Sequence, residues 1–419
     1  MSTSKLSVFS DNPLYANLDA RNQRFIMQKA GQFRLTHQDI CQLLEIATDF
    51  EMWQSGFIDE FWDESGIERL QGGNRKRKIL NQIRENWLTT KSALPKYDKH
   101  DVEKQPPAEI VFKTKLDDNP VLGPCPVFSP KTRCCNLQTL DLVINCGYDC
   151  SYCSIQSFYH NDQILFHENL AEKLAKIEIN PNQTYHIGTG QSSDSLLWGN
   201  RNEVLDLIFD WVRDKPNVIL ELKTKSANVN YLLNNDIPSN VIVTWSLNTQ
   251  TVVENEEHHT APLKSRLSAA RRVAAKGVVV GFHLHPIVAF EGWQQEYTDL
   301  VTQVTSDFDA KQVALVSLGT LTFIKPVIKQ LRQRKLKSKI LQMPFEDAAG
   351  KASYPLEFKK ELFKTVYDSF RPWHGKVFFY LCMEDSTLWP DVFGYEYQSN
   401  AEFELAMKTA YFEKISINS

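Results

Sequence analysis

Residues 137–153 read LQTLDLVINCGYDCSYC: an apolar run, Leu137 to Asn145, that hands over to three cysteines, Cys146, Cys150 and Cys153. The run reads as a buried strand and the cysteines as the loop at its C-terminal end. Downstream the same form recurs. Short apolar runs at Thr184–Gly188, Val218–Lys223, Val241–Leu247, Val278–Leu284 and Gln312–Leu318 alternate with helical patterns at Glu168–Glu178, Asn202–Arg213, Leu263–Lys276 and Trp293–Val304. Runs such as Val241-Ile242-Val243 and Val278-Val279-Val280 have no polar alternation, as expected of strands covered on both faces. Strands alternating with helices imply a parallel sheet with right-handed crossovers. Six strands suit an incomplete (β/α)6 barrel better than a closed eight-fold one, with a doubly wound sheet as the alternative.

Upstream the pattern differs. Residues 1–118 carry no strand alternation and read as an N-terminal helical extension. Thr36-His37-Gln38-Asp39 is placed to cap a helix through Ile40, Leu43, Leu44, Ile46 and Ala47. A second helix, around Lys76 to Trp87, begins with the basic run Arg75 to Lys78, a solvated face or a phosphate-contacting patch. Lys96 to Leu122 reads as a connector. The expected division is therefore 1–118, a barrel over 119–345, and a C-terminal α+β segment over 346–419. In that last segment Cys382 follows the apolar run from Val377 and reads as a buried strand residue.

With 42% hydrophobic residues, 23% charged residues and a net charge of −4, the 419-residue chain can bury an ordinary core. It lacks the overall basic field of a nucleic-acid coat, though a local basic face is compatible. No run approaches the roughly 20 apolar residues of a membrane helix, and Met1 to Pro13 has no signal-peptide character. Five of the eight cysteines fall between Cys134 and Cys153. Clustered thiols in such a chain point to metal or redox chemistry in a reducing cytoplasm rather than to disulfides.

The C-x3-C-x2-C spacing of Cys146, Cys150 and Cys153 offers three thiolates on one loop. That suits a cubane iron–sulfur cluster with one iron left open, whereas structural zinc would need a fourth ligand, from His160, His167 or the Cys134-Cys135 pair. Polar residues end the later strands: Gly190, Gln191, Ser193 and Asp194 after the second, Lys223-Thr224-Lys225 at the third, Ser246 and Asn248 at the fourth, His283 and His285 at the fifth. Each has a bland structural reading, but in an α/β barrel that rim is where ligands sit. Cys134-Cys135 and Cys125 precede the first strand and are placed at the opposite rim, as packing residues or a second redox or metal site.

The cysteine motif resembles the signature of the radical-SAM superfamily, whose clusters are [4Fe-4S] with S-adenosylmethionine on the open iron. Over about residues 137–355 the chain is similar to the spore photoproduct lyase family, through Ser193-Asp194, Thr224-Lys225, Ser246-Leu247-Asn248, Arg266 to Ala270, Gly281-Phe282, Pro286-Ile287, Gly292-Trp293 and Phe323 to Pro326. The resemblance implies a barrel of radical-SAM type. It implies cofactor contacts at Ser193, Asp194, Lys225, Ser246 and Asn248, with Lys225 paired to the carboxylate of S-adenosylmethionine. It also implies carbon–carbon lyase chemistry on a thymine dimer in DNA, and a one-electron donor of flavodoxin or ferredoxin type. Other substrates of the same chemistry (a modified base, nucleotide or peptide) and a zinc-stabilised nucleic-acid-binding protein are the alternatives.

The radical relay departs from the family at two places. Gln191 stands where the family's repair enzyme has a hydrogen-donating cysteine. Tyr152 precedes Cys153, but Ser154 stands where that enzyme has a tyrosine. The family's DNA-wedging loop is reduced here to Gly350 to Pro355.

Overall fold

The computed structural model describes residues 9, 11–66, 73–97, 109–125, 132–154, 163–348 and 350–418. Contacts gather the chain into two compact units, Met1–Tyr97 with Thr322–Ser353, and Asp98–Leu321 with Tyr354–Ser419. No helix among the described residues is long and apolar enough to cross a membrane.

The first unit is helical, with helices Ala20–Gln32, His37–Trp53, Gly73–Ser92 and Lys325–Gln333. The Thr36 hydroxyl accepts the Asp39 N–H and the Asp39 carboxylate accepts the Thr36 N–H, so the predicted start of the second helix is a full capping box. Its buried Asp49 receives both Nε and Nη2 of Arg332 at 2.8 Å and the Trp87 indole at 3.0 Å. Lys76 pairs with Asp39 at 2.8 Å and Arg75 with Glu64 at 3.4 Å. Half the basic run thus meets acids of its own unit, which favours the solvated-face reading.

The second unit is built on an eight-stranded sheet: β1 Leu122–Pro124, β2 Gln138–Leu140, β3 Tyr185–Thr189, β4 Val218–Thr224, β5 Val241–Ser246, β6 Val279–Ile287, β7 Val313–Thr320 and β8 Phe378–Leu381. Their order across the sheet is their order in the chain, and every neighbouring pair is parallel except β1 with β2. A doubly wound sheet would reverse direction at a switch point; none exists here. Crossovers of one hand, never reversing, curl the sheet into an open half-barrel, with seven parallel strands rather than six because the run at Val377 joins as β8.

The expected first strand, Leu137–Asn145, is broken. β3 offers ladder partners only to Gln138 and Thr139. The chain then turns, and Val143–Ile144 pairs antiparallel with Gln163–His167 in a separate small sheet. The other barrel strands and helices lie within a few residues of their sequence-derived positions.

The concave face carries a polar ladder where a closed core would be apolar. Glu221 of β4 accepts from His186 and His283 at 2.7 Å each and from Thr244 at 2.7 Å, and His283 meets Ser317 at 2.5 Å. Burial, with Lys223 nearby, holds His283 down to about 4, so its imidazole is neutral. The C-terminal helix Asn400–Asn418 runs below the strands' N-terminal ends. Lys408 reaches the Thr184 carbonyl and Lys414 that of Ala310, while Tyr411 packs edge-on against His186 at 5.3 Å. The open end of the half-barrel is therefore the C-terminal one.

Candidate active site

At that open end a cavity is lined by Cys146, Cys150, Cys153, Tyr152, Gln191, Ser193, Asp194, Lys225 and Ser246, together with Tyr148, Lys223 and His285. All but one of the site residues read from the sequence meet here. Asn248 does not: its amide donates to the Pro286 carbonyl at 2.9 Å and accepts from Tyr297 at 2.6 Å. The two-residue period that placed it beside Ser246 holds only within a strand, and β5 ends at Ser246.

The cysteine loop is clamped by residues that periodicity does not reveal. Glu257-His258 forms a two-residue antiparallel bridge with Cys150-Asp149, and the Ser151 N–H donates to the Glu256 carbonyl at 2.8 Å. The buried Glu257 carboxylate accepts the Tyr152 hydroxyl and pairs with Arg266. Arg266, also fully buried, donates to the Ser246 carbonyl at 2.9 Å and to Ala261 at 2.7 Å. The guanidinium thus ties the end of β5 to the cluster loop. In the sequence it stood within the stretch Arg266 to Ala270 that resembles the family, with no role assigned to it.

Asp194 has a similar fastening role. Its carboxylate accepts the N–H groups of Leu196, Leu197 and Lys225 and the Thr224 hydroxyl, all at 2.6–3.0 Å. Through these bonds it joins the β3 and β4 loops at the wall of the cavity that it lines. Gly190, at φ +87°, allows that joint: a Cβ there would lie 2.5 Å from the Lys223 carbonyl oxygen.

Electrostatically the cavity is cationic beside thiols. Burial opposes the Lys225 ammonium, but Cys150 and Glu257 outweigh it and hold the group above its usual value. Its Nζ lies 5.5 Å from the centre of the Tyr152 ring. Burial, then the Asp194 carboxylate, push Cys146 up to about 12, and burial raises Cys150 as well. Cys146 and Cys150, so placed, become thiolates only against a strongly cationic group.

That donor set fits a cluster with one open iron. Among the described residues the fourth ligands considered for zinc are elsewhere or engaged. Both ring nitrogens of His167 are occupied, by the Asp141 carbonyl and by Lys173, at 3.1 Å each. Cys134 and Cys135 line a different cavity; His160 lies outside the described residues.

That second cavity corrects an expectation. Cys125, Cys134, Cys135 and Cys382 gather in one chamber, and Gln191, Lys223 and His285 line both it and the first cavity. The thiols are not set apart at the opposite rim, because the segment before β2 is tied to the chain after β8: the Arg133 N–H donates to the Glu384 carbonyl at 3.2 Å. Cys382 lies just beyond β8, where its N–H donates to the Leu318 carbonyl at 2.8 Å.

The family model of spore photoproduct lyase matches residues 134–355, more than half of the chain. The chain belongs to the spore photoproduct lyase family. Spore photoproduct lyase of Geobacillus sp. (strain Y412MC61) is 32% identical over 128 residues, and that of Bacillus subtilis (strain 168) 29% identical over 123. Each alignment takes in 29% of this chain and 36% of the relative, so the chain spans about a third of the length of these curated relatives. Solved structures of the lyase agree in fold. One complexed with dinucleoside spore photoproduct has a TM-score of 0.53 at 22% identity, covering 58% of this chain and 76% of its own. A variant with bound AdoMet and dinucleoside spore photoproduct gives 0.51 at 22%, covering 57% and 75%.

Against the family's pattern, Tyr354 of the reduced wedging loop is buried and its hydroxyl accepts the Ala289 N–H at 3.0 Å. It is an internal strut rather than a side chain offered to DNA.

Proposed function

We propose that this chain is a radical-SAM lyase holding a [4Fe-4S] cluster through Cys146, Cys150 and Cys153, and cleaving a thymine dimer of spore-photoproduct type in DNA. The observation that carries the reading is the meeting of three thiols with Lys225, Ser193 and Ser246 around one cavity at the open end of the sheet. Lys225 supplies an ammonium for the carboxylate of S-adenosylmethionine, a charge-assisted bond in a site shielded from water. Ser193 and Ser246 offer hydroxyls beside it, while Asp194, Glu257 and Arg266 hold the loops in register. Tyr152 lies over Lys225 and keeps its hydroxyl on Glu257. When bound, the cofactor pair supplies reductive cleavage to methionine and a 5′-deoxyadenosyl radical, which takes a hydrogen atom from substrate. The protein contributes orientation and exclusion of water. A flavodoxin- or ferredoxin-type protein suits the one-electron donor, and an oxygen-sensitive cluster suits a reducing, cytoplasmic setting.

Anaerobic reconstitution tests this directly. The wild type is expected to take up iron and sulfide and to release 5′-deoxyadenosine in the presence of dinucleoside spore photoproduct, and Cys150→Ala to do neither. Undiminished turnover in that variant would reject the assignment. Gln191 and Ser154, standing where the family's relay residues belong, favour a second reading in which another nucleobase, nucleotide or peptide is the substrate. Substrate-dependent 5′-deoxyadenosine release from nucleoside or peptide pools, but not from the dinucleoside, would select it.

A further inference from the structure

The candidate cavity adjoins a chamber of thiols, and the residues lining both include the glutamine that stands where the resemblance implies the family's donor. Resting on the lyase reading, we propose that Cys382 is the hydrogen-atom donor that quenches the product radical in this chain, acting from β8 instead of from the loop after β3. Gln191 lines both cavities, and so do Lys223 and His285. A fragment radical formed in the first cavity therefore lies beside residues that also line the second. An S–H bond is weaker than an aliphatic C–H bond, whereas the amide N–H of Gln191 is stronger, so a thiol can give up a hydrogen atom downhill and Gln191 cannot.

Among the thiols, Cys382 is the best placed. Its backbone continues the β7–β8 ladder through the Leu318 carbonyl, which fixes its Cα rigidly. Cys135 is engaged with the Cys134 thiol, and Cys125 adjoins residues outside the described set. Burial pushes Cys382 up to about 12, so it stays in the S–H form that donation requires. A structural metal would want thiolates.

The step balances. After carbon–carbon scission one fragment is a carbon radical. The Cys382 S–H bond breaks, a C–H bond forms on that fragment, and the sulfur is left as a thiyl radical. One electron from the flavodoxin- or ferredoxin-type donor and one proton from solvent restore the thiol for the next turnover.

The test uses the full reconstituted chain with dinucleoside spore photoproduct in deuterium oxide, where cysteine thiols carry deuterium. The wild type should place one solvent deuterium in each repaired product. Cys382→Ala should still release 5′-deoxyadenosine but yield at least tenfold less repaired product. Adding Gln191→Cys to that variant should restore labelled product, a rescue that a merely packing role for Cys382 would not show. A readout independent of turnover is disulfide trapping in the unloaded protein: mild oxidation should link the Cys382 peptide to that of Cys134 or Cys135.

Unlabelled product from the wild type, or equal labelled product from Cys382→Ala, overturns the donor assignment while leaving the lyase reading intact. No 5′-deoxyadenosine from any probe overturns both. Iron near eight per chain instead of about four, lost on Cys382→Ala, overturns it in favour of a second cluster.

Discussion

At the scale of single residues, the site depends on buried charges that a pattern of apolar positions cannot disclose. Glu257 and Arg266 are both fully buried and pair with each other. Removing one member of such a pair leaves the other charge without compensation in a low-dielectric interior, at a cost of about 3–5 kcal/mol. Glu257→Gln should therefore lower the unfolding free energy read from urea titration by that amount. It should also reduce iron uptake, because the carboxylate positions the Tyr152 hydroxyl and the strand that clamps Cys150. Full retention of both properties would show that the clamp does not depend on this ion pair. Lys225, by contrast, was legible from the sequence: a lysine at a strand end, on the rim where ligands gather.

Among elements, the rim loops and strand contacts are set by backbone approach. Gly190→Ala forces a Cβ to within 2.5 Å of the Lys223 carbonyl at a positive φ. The β3 and β4 loops must separate, at about 1–3 kcal/mol for a non-glycine residue held there. Calorimetry should show weaker S-adenosylmethionine binding to the reconstituted variant together with a lower melting temperature; unchanged binding would argue that the two loops move independently. In the first unit, Thr36→Ala removes half of a capping box and should cost about 1 kcal/mol of stability in urea titration. The strands and helices of the barrel were readable because continuous valine and isoleucine runs and amphipathic stretches each reflect local burial. The break after Leu140 was not, because it depends on which partner strand is in reach rather than on the residues of the run itself.

For the molecule as a whole, the polar ladder on the concave face should set a pH dependence. His283 is held neutral by burial, with a value lowered to about 4 against an ordinary 6.5. Between those values the unfolded chain binds a proton that the folded chain refuses. Stability is therefore complete above about pH 6.5, falls as the pH drops towards 4, and levels off below. The loss from this group is roughly 3 kcal/mol. Urea unfolding at stepped pH should show the slope, and His283→Gln should flatten it. A wild-type slope absent between pH 4 and 6.5 would mean that Glu221 takes the proton jointly with the imidazole.

The amino-acid sequence alone determined the strand–helix alternation, the three-cysteine loop and the family, since these rest on short-range patterns and fixed spacings. Only the tertiary structure decided that the sheet curls with seven parallel strands, that Asn248 turns away from the cavity, and that four further cysteines converge beside Gln191. Each depends on register between segments far apart in the chain. The Arg133 N–H bonds the Glu384 carbonyl, a contact between distant segments that sets Cys134 and Cys135 beside Cys382 and that no local pattern records.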